Sequence, residues 1–126
     1  MAYSPNQTIV DAADVAVATY RYVIDTSYYN QFSLHYKNTA DDADNTVTLT
    51  VRASNNPDAD ATADTNWLDV STDVLWGASI VANNATVEAI KFVTDFKPAK
   101  YMLKVVVANT GVLGNDVGLR VNLNRA

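Results

Sequence analysis

Strict two-residue alternation, sustained over three separate stretches, is the feature that most constrains this chain. In Asn30–Lys37, Phe32, Leu34 and Tyr36 point one way and Gln31, Ser33, His35 and Lys37 the other. In Thr46–Ser54, Val47, Leu49, Val51 and Ala53 alternate with Thr46, Thr48, Thr50 and Arg52. Near the end, Val117, Leu119, Val121 and Leu123 alternate with Arg120 and Asn122. Successive side chains of a strand point to opposite faces, so this period describes antiparallel strands with one dry face and one wet one. A helix would need apolar residues recurring about every 3.6 positions, and no such stripe is sustained.

The weaker segments fit the same scheme. Tyr20, Tyr22 and Ile24 alternate with Thr19, Arg21 and Val23. Short strands are expected at Trp67–Ser71 and Ser79–Val81. Thr86–Phe96 places Ile90, Phe92 and Phe96 on one face, and Lys97-Pro98 ends it, because proline cannot donate to a ladder. Tyr101–Ala108 is apolar on both faces, with Tyr101, Leu103, Val105 and Val107 opposed by Met102 and Val106. That marks a central strand, or one covered by a partner. Asn38–Asn45 is rich in Asn and Asp and predicts a hairpin loop between its flanking strands; Asn55–Asn66 is a second, longer polar loop.

The count is about eight strands with turn signals at roughly ten-residue spacing. The expected fold is all-β: an antiparallel two-sheet sandwich or jelly roll over residues 18–126, preceded by an extended N-terminal arm over residues 1–17. The arm has few large apolar side chains. It is expected to be held by extended backbone pairing at Gln7–Val10 or by packing on a neighbour, with Ile9 and Val10 as anchors; Asp11–Val17, rich in alanine, could instead form a helical turn. Trp67, Phe32, Phe92, Phe96, Tyr36 and Tyr101 are expected to fill the core, against Tyr28, Tyr29 and Trp76 as candidates for an interface or a sugar-stacking surface.

Composition agrees and narrows the function. Among 126 residues there are 17 Val, 4 Ile and 13 Thr, and a single Glu against 13 Asp and 13 Asn, which favours strands and turns over helices. The chain has no cysteine, which removes disulfides, thiolate metal sites and cysteine nucleophiles. Its single histidine, His35, removes a multi-histidine metal site within one chain. A net charge of −5 disfavours nucleic acid and anionic membrane as partners. With four glycines and no phosphate-binding loop, no nucleotide cofactor is expected. No apolar run reaches ~18 residues, and no basic-then-apolar leader is visible at the N-terminus.

Three constellations remain. Ser33 and His35 share a strand face, but a hydrolase also needs an orienting acid and an oxyanion pocket, so no catalytic residue is assigned. Asp58, Asp60, Thr62 and Asp64 imitate the start of a calcium loop. Ala63 stands where glycine belongs and Asp69 where glutamate does. Asp41, Asp42 and Asp44 form a second acidic cluster, and both read as solvated turns with no metal assigned. The sequons at Asn6 and Asn84 occur as often as chance supplies at this Asn and Ser/Thr content.

One run of the chain resembles a known group. Phe32-Ser33-Leu34-His35-Tyr36 leads to a strand ending Ala53-Ser54-Asn55-Asn56-Pro57, then to Asn66-Trp67-Leu68-Asp69-Val70 and later to Lys97-Pro98-Ala99-Lys100-Tyr101-Met102-Leu103-Lys104-Val105-Val106-Val107. Over residues 30 to 108 this is similar to small β-sandwich structural proteins of tailed-phage virions. The resemblance implies a non-enzymatic cement or decoration protein. Such a protein would be made in the host cytoplasm without a signal peptide and seated on the outer capsid surface, where it reinforces capsomer junctions. Its partners would be the major capsid protein and copies of itself, as a trimer. Carbohydrate-binding sandwiches share the Ser-Asn…Trp layout, so a sugar-binding module of a phage tail or host-recognition device is the alternative.

Overall fold

The computed structural model describes residues 6–26, 29, 31–75, 77–94, 100–108 and 114–124. Nine strands and one helical turn follow in order: β1 (Asn6–Ala12), β2 (Ala18–Asp25), β3 (Gln31–Ala40), β4 (Thr46–Ser54), β5 (Leu68–Asp69), α1 (Ser71–Leu75), β6 (Ile80–Ala82), β7 (Ala85–Thr94), β8 (Lys100–Ala108) and β9 (Asn115–Asn124). One sheet runs β1-β9-β3-β7. The other runs β2-β8-β4-β5, with β6 also paired to β4. Every pairing is antiparallel.

The pairings nest. β1 lies against β9, β2 against β8, β3 against β7, and β4 against β5 and β6. This is a long two-stranded ribbon folded at its middle and wrapped so that successive pairs fall in alternate sheets. The β3–β9 and β4–β8 ladders then close each sheet. The winding is that of a jelly roll. It also corrects the hairpin expected at Asn38–Asn45: β3 and β4 lie in different sheets, and residues 41–45 carry the chain from one to the other. Asp42 accepts the Asp44 N–H through Oδ1, and its carbonyl accepts the Asn45 N–H, which turns that corner.

The inward faces meet in one apolar cluster. β3 contributes Phe32, Leu34 and Tyr36; β4 contributes Val47, Leu49, Val51 and Ala53; β8 and β9 add Tyr101, Leu103, Val105, Val107, Val117, Leu119, Val121 and Leu123. Phe32 and Tyr101 meet edge to face, 4.6 Å between centroids. The alternations of β3, β4 and β9 therefore orient these strands as their sequences predict, and β8, apolar on both faces, is central in its sheet.

β7 is oriented the other way. Opposite Phe32, Leu34 and Tyr36 of β3 stand Val93, Lys91 and Ala89 of β7. Pairing with β3 in this register places Ala89, Lys91 and Val93 on the same side as the inward β3 side chains. Ile90 and Phe92 are thereby put outside, 50% and 61% exposed. Phe92 is not the core residue that its aromatic character suggests. Phe96 lies outside the described residues.

The N-terminal stretch is part of the sandwich. β1 pairs with β9 from Asn6↔Asn122 to Ala12↔Val117, with a register shift between Thr8 and Val10. The irregularity lets both Ile9 and Val10 pack against the core. The expected extended pairing thus occurs within the chain. The helical turn considered for Asp11–Val17 is not formed: Asp11 and Ala12 belong to β1, and the Val15 N–H donates to the Asn115 carbonyl as the chain leaves the sheet.

Candidate functional site

The two outer faces of the sandwich differ. On the face of the β2-β8-β4 sheet, Arg21, Lys104 and Thr50 stand in one cross-strand row, and Val23, Met102 and Arg52 in the next. The loop 55–67 folds back over them. Asp64 accepts from Lys104 Nζ at 2.7 Å and from Arg21 Nη2 at 3.0 Å, with Arg52 Nε at 3.7 Å. The hydrogen bonds from Lys104 and Arg21 hold its carboxyl at about 2. The Trp67 indole N–H donates to the Asp60 carbonyl, and Arg52 Nη1 donates to the Trp67 carbonyl, both at 2.8 Å.

Met102 points outward in register yet is fully buried, and Trp67 is 4% exposed. Neither belongs to the inter-sheet cluster. Trp67 is therefore buried as expected, but beneath its own loop and not between the sheets. Its expected strand shrinks to Leu68–Asp69, with Leu68 exposed. Ser71 opens α1 instead, its N–H donating to Asp69 Oδ1. That bond is the chief cause holding the Asp69 carboxyl below its ordinary range. Of the two alternatives for β8, a central strand or one covered by a partner, the central strand is found, and its outward Met102 is buried within the chain.

The same loop answers the calcium reading. Asp64 is occupied by three cations. Asp60 bonds the hydroxyl and N–H of Thr62, which lower its carboxyl, and Asn56 rather than Asp58 caps the turn before it. Among the described residues no group of three His, Asp or Glu is placed to hold a metal ion.

The outer face of the β1-β9-β3-β7 sheet carries no such cover. Its rows run Asn122–Ser33–Phe92, then Arg120–His35–Ile90, then Gly118–Lys37–Glu88, then Asp116–Thr39–Thr86. Two shallow grooves lie along these rows and share His35 and Arg120. One, of about 380 Å³, is lined by Asp11, Lys37, Glu88 and Asp116; the other, of about 310 Å³, by Gln7, Thr8, Ser33, Ile90 and Asn122. Gly118 keeps the first groove open and the strands close: a Cβ there would stand 3.1 Å from the Lys37 carbonyl oxygen. His35 Nε2 lies 2.8 Å from Glu88 Oε2, and Arg120 Nη2 is 3.6 Å from Asp11 Oδ2, beyond hydrogen-bond reach.

This bare face is where sequence reasoning and structure part. Ser33 and His35 do share it, but His35 is joined to Glu88 rather than to Ser33. Of the expected interface residues, Ile9, Val10 and Tyr29 pack partly buried against the core, while Tyr28 and Trp76 lie outside the described residues. The exposed apolar residues are others. Ile90 and Phe92 lie on the outer face of the edge strand β7, Val81 of β6 faces outward from the other sheet opposite Thr48, Leu68 is on β5, and Val17 and Val23 are exposed as well. The signal that marks Ile90 and Phe92 is their pairing with β3, which only the register reveals.

Searched against known protein families and curated proteins, the chain matches no family and no curated sequence.

Proposed function

We propose that this chain is a non-enzymatic structural protein of a tailed-phage virion. It attaches to the outer capsid surface at capsomer junctions and acts in several copies, as a trimer with the major capsid protein as partner. The observation that carries the reading is the exposure of Ile90 and Phe92 on the edge strand β7, with Leu68 and Val81 also exposed on the short strands β5 and β6. Exposed large apolar side chains on edge strands are a protein-contact surface and, left bare, an aggregation hazard. Jelly rolls serve capsid and lectin proteins alike, which supports the reading by analogy of fold. A charge of −5 suits the outside of a shell better than contact with packaged DNA. Repeated weak contacts of this kind gain strength by avidity.

The test is occupancy on phage heads stripped of the protein, measured by co-sedimentation. The wild-type chain should saturate a fixed number of sites. The double variant Leu68→Ser, Val81→Ser should fold normally and lose most occupancy. Failure of the wild-type chain to bind heads, or full occupancy by the variant, overturns the proposal.

A further inference from the structure

We infer that the bare face of the β1-β9-β3-β7 sheet is a binding site for an acidic saccharide, a sugar ring that carries a carboxylate. The inference stands on the groove of this face and not on the attachment reading.

The argument starts from charge. The groove between Gln7, Ser33, Asn122 and Ile90 has Arg120 and His35 on its floor and no carboxylate in its lining. Arg120 is largely exposed, and among the described residues its nearest anion is Asp11 at 3.6 Å, with no hydrogen bond made. Its planar fork of donors is thus available to a ligand carboxylate, which it matches in a two-point contact.

The second part is the apolar wall. Phe92 stands next to Ser33 across the β3–β7 ladder and Ile90 next to His35. Ile90 lines the groove, and Phe92, 61% exposed two residues along the same strand face, offers an apolar ring to the C–H face of a sugar. The third part is orientation. Ser33 and Asn122 share one row with Phe92, while His35 and Arg120 share the next with Ile90. A ring lying over Phe92 and Ile90 therefore has a hydroxyl and an amide along one side and the guanidinium along the other. The adjoining groove supplies Asp11, Glu88 and Asp116, acceptors for the hydroxyls of a second, neutral sugar unit. The groove volumes fall in the range of small-ligand clefts, ~300–1,000 Å³.

The experiment is an NMR titration of the isolated chain with glucuronic acid, with glucose and acetate as comparisons and melting curves as the check that each variant folds. Glucuronate should shift Ser33, His35, Arg120 and Asn122 and saturate with a Kd on the order of 1 mM, as expected for a single open subsite. Glucose and acetate should each bind at least about tenfold more weakly, since each lacks one of the two contacts. Arg120→Gln should abolish the preference for glucuronate over glucose, and Phe92→Ala should weaken both sugars. The inference is overturned if glucuronate does not saturate, if acetate binds as tightly as glucuronate, or if both variants bind like wild type. Arg120 is not among the attachment residues, so loss of the glucuronate preference in Arg120→Gln with head occupancy intact separates this site from the attachment surface.

Discussion

The two outer faces of this sandwich begin from similar sequence and end in opposite states. Each is the outward side of antiparallel strands, and each presents apolar residues where polar ones are expected: Met102 and Val23 on one, Ile90 and Phe92 on the other. On the first, the loop 55–67, pinned through Asp64 and Trp67, leaves Met102 fully buried while Val23 stays exposed. The second has no roof. Its apolar residues stay in water beside a row of polar side chains, and a chain that covers one such face with its own loop leaves the other for something else.

The largest effect should come from breaking the bare sheet at its edge. Removing β1 strips the pairing along β9 and the packing of Ile9 and Val10, and leaves β9 as a new unpaired edge. A chain lacking residues 1–12 should lose cooperative thermal unfolding. A truncated chain that melts like wild type would show that β1 is an appendage to the sandwich and not a strand of it.

Next comes the roof. Trp67→Ala should cost about 3–5 kcal/mol in urea denaturation, because burial is lost and a cavity opens between loop and sheet. Met102→Ala should cost about 2–5 kcal/mol for the same reason. A loss under 1 kcal/mol in both would mean that the loop lies over the sheet without packing on it.

The clamp that holds the roof is weaker. Asp64→Asn keeps the shape and removes the charge that faces Lys104, Arg21 and Arg52, and should cost about 1 kcal/mol, since the carboxylate is partly in water. Its pH dependence has a definite sign. The folded carboxyl titrates at about 2 against an ordinary 3.8, so the unfolded chain takes up the proton first as pH falls. The contribution is full above about pH 4 and is lost as the pH falls through about 2. Melting curves of wild type and Asp64→Asn should differ at pH 6 and converge near pH 2; an equal gap at both would assign the effect to lost shape and not to charge.

How far the sequence carries this comparison depends on what each element is opposed by. The orientations of β3, β4 and β9 were legible because each strand has one plainly apolar side, whereas β8 is apolar on both. β7 has apolar residues on both sides, Val87, Ala89 and Val93 against Ile90 and Phe92, and its own residues do not decide between them. The decision falls to the pairing with Phe32, Leu34 and Tyr36 of β3, more than fifty residues away. Trp67 was legible as buried, because a lone tryptophan beside a strand has few other places to go. Which face it covers was not, since that depends on Asp64 meeting cations from β2, β4 and β8. The bare face was readable as polar in Ser33, His35 and Lys37, but its grooves form only where β1, β9 and β7 join β3.

The smallest expected effect is also the sharpest test of the contrast. Phe92 and Met102 both project outward from strands, and both are large and apolar. Phe92→Ala should change stability by no more than about 0.5 kcal/mol, because the ring is already in water and its removal leaves no cavity. Met102→Ala should cost several times that. The two substitutions belong in one urea series, with ring burial the variable that separates them. If Phe92→Ala proves as costly as Met102→Ala, the ring is packed in solution, and the β1-β9-β3-β7 face has a cover of its own. If Phe92→Ala leaves stability untouched and at the same time reduces self-association at high concentration, the exposed ring is a contact made between molecules. The free energy that keeps an aromatic residue on this edge then belongs to binding and not to folding.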